Sequence, residues 1–434
     1  MGFYMHRSSL YGSLVVVALL NAACEADFAS ALLPAEEFSA SRGTRVMHVA
    51  TAQPEVLTVA GDVTVFKSGY GSGMALVPGS SREFYLLTDR GPNIDGATAA
   101  IKKFPAPSYT PTIYRAHMAG SKLKIIGQIP LMRPDGVTPL SGLPIPAAQC
   151  GSTLEEAQTL AGTVLAPDPY GLDPEGIVAL PDGTFWISDE YGPFIAHYAA
   201  DGRELERLSP CGNGMPEVYK LRRPNRGMEG LTITPDGQWL VGIMQAPLEN
   251  PAPAGIRNVS RLTRVLFVHR TTGETREYAY LLDAATLQGN SEILALSSTR
   301  FLVIERDGAF LFGSPAATMK KIYEFDLAGA TDISALGALG ATPIAGGKTL
   351  EQATVAELLA AGVVPVTKSL RVDLVALGYP HDKPEGLALA PGGMLFVVND
   401  DDFAVAQAGG NLIQKVLPPT SEPDRVTVWQ IRLP

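Results

Sequence analysis

The stretch "DPEGIVALPDGTFWISDEYG", Asp173 to Gly192, decides the fold. Two short apolar runs, "IVAL" and "FWIS", flank "PDG", three residues that favour a tight turn. That pattern predicts a β-hairpin. In an antiparallel hairpin the start of the first strand lies beside the end of the second, about 4.8 Å away. Glu175 is therefore expected next to Asp189 and Glu190, at the end remote from the turn. Neither run alternates apolar with polar residues, as a strand in a one-sided sheet would. Such strands fit a sheet covered on both faces.

Four more stretches follow the same plan. "NRGMEGLTITPDGQWLVGIMQ" carries Glu229 and Pro235. "DKPEGLALAPGGMLFVVNDDDF" carries Glu385, Pro391, Asn399 and Asp400. "GNSEILALSSTRFLVIERDG" carries Glu292, Glu305 and Arg306. "GYGSGMALVPGSSREFYLLTDRGPN" carries Ser72, Pro78, Asp89 and Arg90. Glu175, Glu229 and Glu385 each precede a turn proline by the same interval. Glu292 to Glu305 is one residue shorter than Glu175 to Asp189, which is ascribed to a tighter turn at "SST". Each unit continues with two further strand-like runs around a turn glycine, such as "FIAHYAADG" with "RELERLSP" and "RLTRVLFVHRTTG" with "ETREYAYLLD". Self-similarity at this period, with four antiparallel strands per unit, predicts an all-β fold, a β-propeller of five to seven four-stranded blades. Six is the number expected, because the long intervals from Ser72 to Glu175 and from Glu292 to Glu385 leave room for a degenerate blade. "RVTVWQIRL" near the C-terminus is expected to pair with "TRVMHVA" and close the ring, which removes exposed strand edges. A helical insertion is predicted near 349–362, with Thr349 and Gln352 in capping-box spacing and Gly362 as its stop, and a second helix in "STLEEAQTLAG".

Before the repeats, His6 and Arg7 precede the apolar run Leu10–Leu20 and then the small residues of "NAACEA". This is the order of an export signal over residues 1–26, too short to span a bilayer as a stable helix. A periplasmic or extracellular location follows, with Cys24 a candidate lipid-anchor site, and residues 45–434 are expected to form one domain. In an oxidising compartment the remaining cysteines, Cys150 and Cys211, can pair as a disulfide. The chain carries 34 Lys and Arg against 44 Asp and Glu, a net charge of -10, and no basic stripe. That excludes a nucleic-acid partner. No coiled coil is visible, and a monomer is expected.

If the quoted hairpins are the innermost strands of their blades, their acidic ends gather at one mouth of the central channel. Glu175, Asp189, Glu190, Glu229, Glu292 and Glu305 then become candidate catalytic groups. Asp89, Glu385, Asn399 and Asp400 become candidate metal ligands, and Arg90, Arg226, Arg306 and Lys383 candidate substrate-binding groups. So many carboxylates in one opening must take up protons, pair with cations or hold a metal. Oxygen donors without a Cys or His cluster suit a hard divalent ion such as Ca²⁺. A Glu before Gly at a strand start can also simply bond neighbouring backbone N–H groups. The variation at the second position, where Asp89-Arg90, Asp189-Glu190, Ile243-Met244, Glu305-Arg306 and Asn399-Asp400 differ, argues for function there. The Asp residues of "PDG", Asp182 and Asp236, are turn formers. His381-Asp382 lies just ahead of the Glu385 strand and reads as a solvated loop or a rim acid–base group. A nucleophile elbow, H-E-x-x-H and a phosphate-binding loop are all missing from the sequence.

The stretches "LLTDRGPN", "LDPEGIVALPDGTFWISDEYGPFI", "NRGMEGLTITPDG", "ILALSSTRFLVIERDG" and "KPEGLALAPGGMLFVVNDDDF" resemble the exported bacterial family described as "esterase-like activity of phytase", from about Leu57 to the C-terminus. The resemblance implies a propeller-like fold and hydrolysis of phosphoric or carboxylic esters. Ser72 and Ile243-Met244 stand where other repeats carry acids, so a fully symmetric metal ring is not expected. The function expected is metal-assisted hydrolysis of a small-molecule ester, with a phosphoric ester such as phytate or a phosphodiester favoured. A lactonase or carboxyl esterase on the same site, or a non-catalytic envelope propeller that binds a ligand or protein, are the alternatives.

Overall fold

The computed structural model describes residues 1–2, 43–251, 255–286 and 289–433. The expected export signal over residues 1–26, apart from Met1 and Gly2, and Cys24 lie outside these residues.

Five four-stranded antiparallel blades surround a central channel. Blade I comprises Gly73–Leu76, Glu83–Leu87, Thr112–Ala119 and Lys122–Pro130, and blade II Pro174–Ala179, Phe185–Asp189, Ile195–Tyr198 and Glu204–Leu208. Blade III comprises Met228–Ile233, Trp239–Met244, Leu262–His269 and Thr275–Leu281. Blade IV comprises Gly289–Ala295, Arg300–Arg306, Lys320–Asp326 and Thr367–Asp373. Blade V takes Pro384–Ala390, Met394–Asn399 and Thr427–Arg432 from the C-terminal end of the chain and its outermost strand, Arg45–Ala52, from the N-terminal end. The innermost strands touch in a closed cycle, I to II to III to IV to V and back to I. The expected ring closure is present, with Val49 opposite Trp429 and Thr51 opposite Thr427.

Each blade interface has its own apolar core, which explains why the inner strands are apolar on both faces. Phe84 and Phe396 meet edge-on, at 4.9 Å, between blades I and V. Tyr85 and Phe185 do the same at 4.8 Å between I and II, and Phe267 and Phe301 at 5.5 Å between III and IV. Blades II and III meet through Trp186, Met228 and Leu231, and IV and V through Leu302, Leu387 and Trp429.

Among the described residues five blades, not six, complete the ring. The long sequence intervals are insertions. Between blades I and II lies a small sheet of Ile94–Asp95, Ile101–Phe104 and Glu156–Thr159. The stretch expected to be the second helix thus contains a strand, Glu156–Thr159, parallel to Ile101–Phe104. In blade IV the insertion carries the helix Val355–Ala360. Its cap is Thr354, in a reciprocal capping box with Glu357. Thr349 and Gln352 also bond reciprocally, at 3.0 and 3.3 Å, but around a turn ahead of the helix.

The register corrects one repeat. At the first strand of blades II to V a one-residue bulge precedes the regular ladder. Glu175, Glu229 and Glu385 occupy it, and Ser72 immediately precedes the unbroken ladder of blade I, which starts at Gly73. In blade IV the bulged residue is Ser291, because Asn290 pairs with Glu305 and Glu292 with Ile304. Glu292 therefore sits one step deeper, where the other blades have glycine. The shorter Glu292–Glu305 interval comes from this offset and not from the turn, since Ile293↔Val303 spans the same interval as Ile177↔Ile187.

Candidate functional site

Every blade's first strand begins, and second strand ends, at the same mouth of the channel. The connections from second to third strand, and from each blade to the next, also open there. The opposite end widens into an apolar cavity of about 630 Å³, walled by the same inner strands and the turn residues Pro78, Pro181, Pro235 and Pro391.

At the mouth, strand alternation divides neighbouring residues between two jobs. Asp189, Glu305 and Asn399 hold the scaffold. Asp189 accepts the Asp173 and Gly192 backbone N–H groups, both at 2.7 Å. Glu305 accepts the Tyr280 hydroxyl at 2.7 Å and the Asp283 N–H at 2.9 Å, and pairs with Lys368. Asn399 accepts the Thr427 N–H and hydroxyl at 2.7 and 2.9 Å, and gives its amide to Arg425. Their carboxylate and amide groups are thus occupied by the blade framework, away from the roles expected for Asp189 and Glu305 in catalysis and for Asn399 at a metal. The next residues along, Asp89, Glu190, Gln245, Arg306 and Asp400, belong to the mouth.

Three carboxylates come together there. Asp173, Glu175 and Glu190 each offer an oxygen within 4.8 Å of the others, and all three residues are buried. Burial pushes the Glu175 carboxyl well above its ordinary range, and the charges of Glu229, Asp173, Glu190 and Glu385 push it further. Glu229 is displaced the same way, by burial and then by Glu190 and Glu385, with Arg306 and Arg226 opposing. Burial and Asp173 raise Glu190 to about 8. An unmet excess of negative charge on hard oxygen donors fits a divalent cation, and Asp173, Glu175 and Glu190 could hold one.

The four expected cations all border this mouth and all carry internal partners. Arg306 pairs with Glu385. Arg226 donates to Gln245 at 3.0 Å. Lys383 bonds Asp400 at 3.3 Å and Asp402 at 2.5 Å. Arg90 is the most committed, to Glu155 at 3.1 Å, Asp173 at 3.5 Å and the Tyr191 hydroxyl at 3.2 Å. It offsets part of the cluster's charge from behind, through Asp173. Asp89 and Asp400 lie at the mouth, both raised chiefly by burial. Glu292 lies deeper and lines the apolar cavity, where its carboxylate accepts the N–H groups of Ile293 at 2.9 Å and Leu231 at 3.2 Å. It bridges blades and stands apart from the carboxylate cluster.

Asp173, Glu155, Asp402 and Lys415 were not anticipated. Asp173 had a signal, since it precedes Glu175 by the interval that separates Lys383 from Glu385. Glu155 and Lys415 come from insertions that only the fold brings to the mouth. His381 is not a solvated loop residue: it is buried, with Asp424 at 2.7 Å on one ring nitrogen and Thr427 at 2.8 Å on the other. Cys150 and Cys211 are joined as a disulfide. Among the described residues no helix is long and apolar enough to cross a membrane.

A protein of Arthroderma benhamiae, named as an uncharacterized secreted protein, is 26% identical over 306 residues, covering 55% of this chain and 59% of that one. The chain thus spans less than two thirds of that relative. Among solved structures, the aldose sugar dehydrogenase of Streptomyces coelicolor in its PQQ-bound form aligns at 11% identity and TM-score 0.34, over 92% of this chain and 100% of its own. Virginiamycin B lyase of Staphylococcus aureus aligns at 12% and 0.34, over 85% and 97%. Neither likeness is close enough to inform the chemistry. Residues 68–403 match the sequence model of the phytase-like family, described as esterase-like activity of phytase, and the chain belongs to that family.

Proposed function

We propose that this protein is an exported, metal-assisted ester hydrolase, acting on a small phosphoric ester at the acidic mouth of the propeller. One observation carries the reading: a buried three-carboxylate cluster, Asp173, Glu175 and Glu190, shares one opening with Arg226, Arg306 and Lys383. The proposed ion is Ca²⁺, held by that cluster, where it would supply Lewis-acid polarisation of a phosphoryl oxygen. Arg226 and Arg306 orient the remaining phosphoryl oxygens by forked hydrogen bonds. Glu229, beside both arginines, takes the proton of the attacking water. Membership of a family described by esterase-like activity supports the same class of chemistry. The protein is proposed to act as a monomer.

The test is hydrolysis of a chromogenic phosphate ester by the full chain, alongside a lactone and carboxyl-ester panel. We expect phosphate-ester turnover that EDTA abolishes and Ca²⁺ restores, and that Glu175→Gln lowers by at least ~100-fold with the fold intact. Turnover that survives both treatments removes the reading. Turnover of lactones alone transfers the same mouth to carboxyl esters.

A further inference from the structure

Blade V's second strand leads into "NDDDFA", Asn399 to Ala404, and the last three residues of that stretch turn the backbone left-handed. Asp402, Phe403 and Ala404 have φ of 50°, 58° and 57°. Left-handed geometry costs an L-residue roughly 1–2 kcal/mol, so three in succession need strong support. Phe403 supplies it, being fully buried among Val63, Val65 and Val405 and edge-on to Tyr109 at 5.0 Å. Asp401 accepts the Phe403 N–H at 3.1 Å, and its backbone carbonyl accepts the Ala404 N–H at 2.8 Å.

This turn delivers Asp402 to one place, between two lysines. Its two oxygens lie 2.5 Å from Lys383 Nζ and 2.6 Å from Lys415 Nζ. Lys415 is 4% exposed, while the Asp402 side chain is 30% exposed. Each lysine has a second carboxylate, Asp400 at 3.3 Å for Lys383 and Asp382 at 2.9 Å for Lys415, with Asp424 3.8 Å from Lys415. The lysines would therefore keep their positions if Asp402 turned aside. Two ammonium groups converging on one carboxylate whose side chain keeps partial solvent access form an anion clamp. Here the chain's own carboxylate fills it.

We propose that Lys383 and Lys415 form an anion subsite for a phosphate group, and that Asp402 is its internal stand-in, displaced when the anion binds. Release needs only rotation of the Asp402 side chain, because the strained backbone is anchored through Phe403. The inference deepens the hydrolase reading and rests on it for the ligand's identity. It adds that ester phosphate, or a phosphate product, competes with a carboxylate built into the mouth.

The experiment measures binding of inorganic phosphate to the full chain by calorimetry, at constant ionic strength and with chelator present. Asp402→Asn and Asp402→Ala should each bind phosphate at least ~10-fold more tightly than the unaltered chain, a gain of about 1.4 kcal/mol. Adding Lys383→Met to Asp402→Asn should abolish the gain. Ala404→Gly, which relaxes the turn and removes no charge, should raise the melting temperature and leave phosphate affinity within ~2-fold. If neither Asp402 variant folds, Lys383→Met in the otherwise unaltered chain should weaken phosphate binding by at least ~10-fold. Phosphate binding that is unchanged or weaker in folded Asp402 variants would overturn the proposal and make Asp402 a positioning residue for the lysines. Tighter binding by a chain that hydrolyses no ester keeps the subsite and discards the hydrolase reading.

Discussion

Asp189 and Glu190 are adjacent, yet the pleat sends them to opposite duties. Asp189 satisfies two backbone N–H groups, whereas Glu190 joins the carboxylate cluster. Asp189→Asn should cost ~1–3 kcal/mol in urea unfolding, because one N–H loses its acceptor, and should retain the stabilisation by Ca²⁺. Glu190→Gln should show the reverse, with stability kept or raised in chelator and the Ca²⁺-induced rise in melting temperature lost. A second residue gives a pH dependence. Asp401 is fully buried, accepts the Gly69 N–H at 2.8 Å, and is raised to about 7 by burial and then by Asp424. Its folded pKa exceeds its unfolded one, so its protonated form belongs to the folded chain. Its contribution to stability is complete below about pH 4 and is lost as pH rises through about 7. Asp401→Asn should remove that decline, up to about 4 kcal/mol, from unfolding curves taken between pH 4.5 and 8. The acidic residue types and their approximate place were legible in the sequence. Which of two neighbours faces the mouth was not, because the phase of the pleat at the strand end is fixed only by pairing in the folded sheet.

Among elements, the inner hairpins were legible because turn proline, apolar runs and acidic ends recur at fixed intervals. The Glu292 offset was not, since the interval to Glu305 is shortened equally by a missing turn residue or by a shift at the bulge. Only pairing separates these. The same bulges explain the conspicuous Glu-Gly pairs: the glycine is where adjacent inner strands come closest. A Cβ on Gly230 would lie 2.3 Å from the Ile293 nitrogen, and one on Gly176 2.4 Å from the Leu231 nitrogen. Both obstacles are backbone, so the blades would have to separate. Gly230→Ala should therefore destabilise by ~1–3 kcal/mol, as overpacking does, with urea unfolding as the check. The helix at Val355–Ala360 was legible within a few residues, but the Thr349 and Gln352 pair expected to open it closes a turn, and Thr354 is the residue whose bonds cap the helix.

For the whole molecule, closure of the ring is the cooperative step. Thr427–Arg432 is hydrogen bonded on both sides within blade V, to Met394–Asn399 and to Arg45–Ala52. A chain ending at Arg425 should lose its sharp thermal transition and aggregate, because two strand edges become exposed; calorimetry and light scattering test this. Reducing the Cys150–Cys211 bond, which closes a loop of sequence separation 61, should lower stability by ~2–4 kcal/mol. The repeat alone determined a propeller, its inner strands and the mouth to which their acidic ends belong, because strand period and turn chemistry are local properties written in consecutive residues. Tertiary structure decided that five blades suffice. It also brought Arg90 and Glu155 behind the Asp173, Glu175 and Glu190 cluster, and set Asp402 between Lys383 and Lys415. Those outcomes depend on how long insertions fold and how distant strands align, and no local interval in the chain encodes either.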